Sequence, residues 1–127
     1  MSIPRNARVR AVPNFLGCLR SARQFMEEQE AGTAAARFRK LQAEIDRARG
    51  LLSFAPESGR PTGFLDAKSG WGRFQAEQAL GLARALGMPG LRELVLARHA
   101  MLYAHSDSEV VLLSLHQEQQ LRYRMGN

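Results

Sequence analysis

Residues 91–116, LRELVLARHAMLYAHSDSEVVLLSLH, decide the fold. Within them 91–97 (LRELVLA) and 99–104 (HAMLYA) are short apolar-rich runs, and 105–109 (HSDSE) carries the Ser and Asp chemistry of a turn. The run 110–116 (VVLLSLH) is apolar on both faces at first, as a central strand covered by helices has to be. Three short strands joined by tight turns form a meander, and a meander this apolar needs other elements to cover it.

The cover lies upstream. Residues 7–12 (ARVRAV) alternate Ala7, Val9 and Ala11 with Arg8 and Arg10, the period-two pattern of a half-buried strand. Pro13 is expected to break that strand and Asn14 to cap a helix, along which Phe15, Leu16, Leu19, Ala22 and Met26 recur at helical spacing to about Glu28. Gly32 is expected to end that helix and Thr33 to cap the next, whose apolar stripe is Ala34, Phe38, Leu41, Ile45, Ala48 and Leu52. Two helices with a short connection read as a helical hairpin. The segment 54–63 (FAPESGRPTG) is a loop by its prolines and glycines. Trp71, Phe74, Ala79, Leu82, Ala83 and Leu86 then predict a third helix over roughly 71–86, with Trp71 as its core anchor, stopped by Gly87, Pro89 and Gly90. The architecture expected is α+β: a small antiparallel sheet made of the N-terminal strand and the C-terminal three-strand meander, with the hairpin packed on one face and an extra helix in 62–90.

A chain of 127 residues with 45% apolar and 24% charged residues fits one domain, 1–127, and excludes wholesale disorder. No apolar run approaches the roughly 20 residues of a membrane helix, and MSIPRNARVR lacks the apolar core of a secretory signal. The single Cys18 precludes an internal disulfide and fits a reducing cytoplasm; its helical spacing marks it as a packed thiol. The net charge is +6, of which residues 1–63 contribute +5 (eleven basic, six acidic) and residues 64–127 contribute +1 (seven basic, six acidic). The basic groups are almost all arginine, whose planar fork suits phosphates or the carboxylates of an acidic protein segment, although solvated helix faces explain many of them as well. Three scattered histidines and one cysteine offer no zinc spacing, and GWGR at 70–73 is not a phosphate loop because no strand leads into it, so neither metal nor cofactor is expected. HSDS at 105–108 is a turn rather than a hydrolase set, and Glu27, Glu28 and Glu30 are a solvated helix end.

Four stretches together resemble the RelE/ParE toxin superfamily of type II toxin–antitoxin, plasmid-stabilisation systems. They are NFLGCLRSARQFM (14–26), LQAEIDRARGLLSFAPESGRP (41–61), LRELVLARHAMLYAHS (91–106) and VVLLSLHQEQQLRY (110–123). The second is similar to the family's leucine-rich helix running into F-P-x-x-G-R-P, the third to its L-R-E-L hairpin, and the fourth to its final strand with a His and a basic tail. The segment 62–90 is longer than the family's usual linker. The resemblance implies one of two poisons. RelE-like members cut messenger RNA in the ribosome without a metal; ParE-like members bind DNA gyrase and block it.

A metal-free ribonuclease has to deprotonate a 2′-hydroxyl, stabilise a pentavalent phosphate and protonate the leaving oxygen. The residues available for those roles are His116 for proton transfer and Arg92 or Arg98 for the phosphate. For a target-binding toxin the residues are Arg60, Arg122, Tyr123 and Arg124. Arg60 could equally well bond loop carbonyls. His99 and His105 are expected as half-exposed strand residues, and Tyr103 to pack its ring and satisfy its hydroxyl locally. Where ribonuclease members carry an arginine in the hairpin this chain has Ala100, with His99 where a tyrosine is common, and only Lys68 stands for the lysine cluster of ribosome-directed members. These departures favour a ParE-like toxin that acts by binding and is neutralised by an antitoxin with an acidic amphipathic segment. A RelE-like nuclease and an inactive member that keeps only an interaction surface are the alternatives. Homo-oligomerisation stays open.

Overall fold

The structure, a computed structural model, describes residues 6–61, 81–88 and 91–117. Strand β1 (Arg8–Ala11) leads through Val12 directly into helix α1 (Pro13–Gln29). Pro13 does not separate the two elements by a cap at Asn14. It occupies the first helical turn, where its missing N–H costs nothing, and Val12 is the cap residue without a side-chain bond. The Asn14 side chain serves the sheet instead, its Nδ2 donating to the Leu113 carbonyl at 2.9 Å. Helix α2 (Ala31–Phe54) follows after one residue, Glu30, whose extended backbone (φ −160°, ψ 96°) forms the corner of the hairpin. The corner therefore falls before Gly32 and Thr33, which lie in the first turn of α2. On α2 the buried residues are Ala34, Leu41, Ile45, Ala48 and Leu52, the stripe read from the sequence, with Phe38 half-buried beneath the Arg23 guanidinium.

Five strands are seen among the described residues, in the order β1-β5-β4-β3-β2, where β2 is Arg60–Pro61, β3 Leu91–Val95, β4 His99–His105 and β5 Glu109–Gln117. The C-terminal meander is antiparallel as expected, with turns closed by Leu96 N–H on the His99 carbonyl (2.7 Å) and Ser106 N–H on the Glu109 carbonyl (2.8 Å). The sheet as a whole is mixed, because β1 runs parallel to β5, with Arg8 opposite Glu109 and Ala11 opposite Leu112. The reason is the hairpin: two helices of similar course return the chain to the side from which β1 set out, and the meander then adds β5 beside it. Between β4 and β5 the register steps from Leu102–Ser114 to Tyr103–Leu112, skipping Leu113, a bulge. The pair Arg60–Pro61 inside the expected loop adds a short edge strand on β3.

Phe15, Leu19 and Ile45 of the two helices line one gap together with Ala11 and Leu112, so both helices cover the same sheet face. The core runs through Phe15, Leu41, Ile45, Leu52, Met101, Tyr103 and Val110–Leu113. Most of the expected helix 71–86, Trp71 included, lies outside the described residues; its last part, 81–85, is helical, Ala83 is buried, and Gly87 ends it at φ 72°, a conformation that favours glycine. No helix among the described residues is long and apolar enough to cross a membrane.

Candidate functional site

The sequence-predicted residues divide between the two ends of the β4–β5 ladder. At the end where β4 finishes, Tyr103 is fully buried, and its hydroxyl donates to the Pro56 carbonyl (2.7 Å) and accepts the Gly59 N–H (2.9 Å), so the hydroxyl is satisfied locally as the sequence suggested. Burial pushes the phenol pKa up. Arg92, opposite Tyr103 on β3, donates from Nη1 to the Gly59 carbonyl (2.7 Å) and from Nε to His105 Nε2 (3.3 Å). His105 Nδ1 lies 3.2 Å from the Ser106 carbonyl, so the Nδ1–H tautomer satisfies both of its ring nitrogens. Arg60, opposite Glu93, grips its carboxylate with Nε (2.9 Å) and Nη2 (2.8 Å). Glu93 is only 6% exposed and needs this partner, whereas most of the Arg60 side chain faces solvent. Arg60 and Arg92 thus meet around one loop, residues 56–60, and tie it to the sheet.

His116 stands at the other end of the ladder, opposite Ala100, and Ala100 lies three residues before Tyr103 on β4, about 10 Å along a strand. It is 5% exposed and shares a 2.9 Å hydrogen bond between Nε2 and Ser114 Oγ. Burial holds its pKa down at about 4, so the ring is neutral at physiological pH. Arg98 sits exposed in the β3–β4 turn and lines a gap with Lys40 and Glu44 of α2. His116 and Arg98 therefore share one end of the sheet, while Arg92 belongs to the other. Arg122, Tyr123 and Arg124 lie outside the described residues. Among the described residues no three His, Cys, Asp or Glu side chains are grouped to hold a metal ion.

Two features were not legible in the sequence. His99, expected half-exposed, is 6% exposed, because β4 is an interior strand of the sheet and α2 comes down over its start. The β3–β4 turn is itself bound to α2: Ala97 N–H donates to Glu44 Oε2 at 2.9 Å. No spacing rule connects Glu44 with Ala97, fifty-three residues apart.

The class this arrangement defines is an α+β layer: a helical hairpin on one face of a mixed sheet, with β1 and an antiparallel meander. Among solved structures the chain is similar in fold to a chain of the chromosomal ParDE TA system from P. aeruginosa, with a TM-score of 0.55 and 11% identity over 88% of this chain and 96% of that one. At that identity the likeness establishes a common fold, the one implied by the four sequence stretches. No family model matches the chain, and no curated protein does.

Proposed function

We propose that the chain is the toxin of a toxin–antitoxin pair, ParE-like, acting by binding a cellular target of the DNA gyrase type and silenced by an antitoxin. The observation that carries this reading is the shared fold with a ParDE-system chain along nearly the whole of both molecules. What favours binding over RNA cleavage is the state of the acid–base and phosphate-stabilising candidates. His116, the proton-transfer candidate, is buried, neutral and bonded to Ser114, and Arg92 is bonded to Gly59 and His105 at the opposite end of the β4–β5 ladder. A general acid–base group has to reach the substrate proton, and the phosphate clamp has to stand beside it. Arg60, with its outer surface in solvent, and the basic tail bearing Arg122, Tyr123 and Arg124 supply anchors of the Arg and aromatic kind that dominate interfaces.

Inducing the chain alone should slow growth, and co-producing the product of the adjacent reading frame should restore it in a stable complex. The purified chain should inhibit supercoiling by DNA gyrase and leave ribosome-bound messenger intact. Messenger cut by the wild type but not by His116→Gln overturns the binding reading in favour of a nuclease. A chain that is harmless at high level and binds no neighbour product leaves only an interaction role.

A further inference from the structure

Between α2 and the β3–β4 turn lies a pocket of about 220 Å³, lined by Met26 and Leu41 and by Arg37, Lys40, Arg98 and His99. Two observations make it a built site. First, its charges do not balance. Lys40 and Arg98 have no ion-pair partner among the described residues, and the Arg37 guanidinium reaches only the neutral Gln29 amide oxygen (3.1 Å). The one carboxylate, Glu44, is partly engaged by the Ala97 N–H. Second, His99 is more than nine-tenths buried, lies between this pocket and the wider gap beside His116 and lines both, and its ring makes no hydrogen bond among the described residues. Buried polar groups in folded proteins are almost always bonded, and an orphan asks for its missing partner. Burial keeps the ring on the neutral side, against the pull of Glu44 and with the push of Arg37. A neutral imidazole still carries one N–H to donate.

We propose that this pocket receives a carboxylate side chain of a partner polypeptide, held by Arg98, Lys40 and Arg37 and by the N–H of His99. A polypeptide fits better than a nucleic acid for three reasons. The cations line one small space instead of tracking a row of phosphates. The apolar Met26 and Leu41 match the methylenes of a glutamate. Glu44 repels a chain of negative charges but tolerates a single one between three cations. Only the identity of that partner as an antitoxin rests on the toxin reading above; the chemistry of the pocket does not.

The test uses the full chain, isotopically labelled, with its His99 ring and Ala97 amide resonances followed by NMR. The probes are an acetylated and amidated Leu-Glu-Glu-Leu peptide, inorganic phosphate and a single-stranded 20-mer oligonucleotide. The peptide should shift both resonances saturably. Arg98→Ala with Lys40→Ala should weaken it about tenfold or more, as the loss of one charge-assisted bond implies. The control pair Arg47→Ala with Arg49→Ala, on the exposed side of α2, removes the same charge and should leave binding within twofold. Equal losses in the two double variants, or resonances that do not move, overturn the proposal. So does a His99 response to phosphate or oligonucleotide stronger than that to the peptide, which would make the pocket a nucleic-acid contact. No growth assay or antitoxin enters this measurement, so its failure and the failure of the toxin reading are separable.

Discussion

At the end of the ladder where β4 finishes, the polar groups bond one another: Tyr103 to Pro56, Gly59 to Tyr103, Arg92 to Gly59 and His105, Arg60 to Glu93. At the end where β4 begins, the His99 ring is buried without a hydrogen bond, and Arg98 and Lys40 form no ion pair among the described residues. The same two strands thus carry a closed hydrogen-bond knot at one end and unspent donors at the other. Groups that satisfy one another stabilise the fold. A buried group that does not, such as His99, asks for a partner, whereas exposed cations are satisfied by water. Substitutions at the two ends should therefore differ in what they do to stability.

The largest effect should come from Gly59. A Cβ there would stand 2.6 Å from Tyr103 Oη and 2.7 Å from the Glu93 carbonyl oxygen, closer than real contacts allow. Gly59→Ala should lower stability by about 2–4 kcal/mol, through overpacking and the broken hydrogen bond. Gly50→Ala, in α2 with nothing within 4 Å of the new methyl, should be neutral or stabilise by about 0.5–1 kcal/mol. Equal Tm changes for the two would show that the knot is loose.

Acid should reveal His116 next. In the unfolded chain its imidazole takes up a proton near pH 6.5, whereas the folded ring resists until about 4. The depressed pKa favours the neutral folded form, so its contribution is whole above pH 6.5 and is lost as pH falls toward 4, by up to about 3 kcal/mol. His99, also shifted down by burial, acts in the same direction. His116→Gln should flatten the fall in denaturant midpoint between pH 6.5 and 4, and an unchanged slope would show that the ring is wet.

Tyr103→Phe keeps the ring but strands the Pro56 carbonyl and the Gly59 N–H, for a loss of about 1–3 kcal/mol by denaturant unfolding. Arg60→Ala should cost about 1 kcal/mol, since Glu93 is left buried while the Arg60 side of the pair is already solvated. At the open end, Arg98→Ala with Lys40→Ala should change stability by less than about 0.5 kcal/mol. A larger loss there would mean that these cations serve the fold.

The elements were legible because their signals are local. The alternation at 7–12, the stripe on α2 and the runs at 91–116 each follow from residues within a few positions of one another, and burial of Ala34, Leu41, Ile45, Ala48 and Leu52 follows the stripe. The junctions were less so. Pro13 reads equally as a strand breaker or as a first helical residue, and only the demand of the Leu113 carbonyl for a donor takes Asn14 away from capping. The direction of β1 was hidden for the same reason, since nothing within ARVRAV tells which neighbour it will find. The site was legible in residue types and not in partners: Arg60 and Arg92 were singled out as candidate site cations, and their bonds to Glu93 and Gly59 span thirty-three residues each.

The parallel pairing of β1 with β5 has a consequence in time. Arg8 and Glu109 are neighbours in space but separated by nearly the whole chain, so the first strand made cannot be placed in the sheet until the last one exists. Closing so long a loop before any contact rewards it is slow in folding terms. While synthesis proceeds, the hairpin can form from its own residues, but the apolar edge awaiting β5 has no partner in the nascent chain. Among the described strands β1 and β5 thus dock late, and that docking closes the sheet on the β1 side.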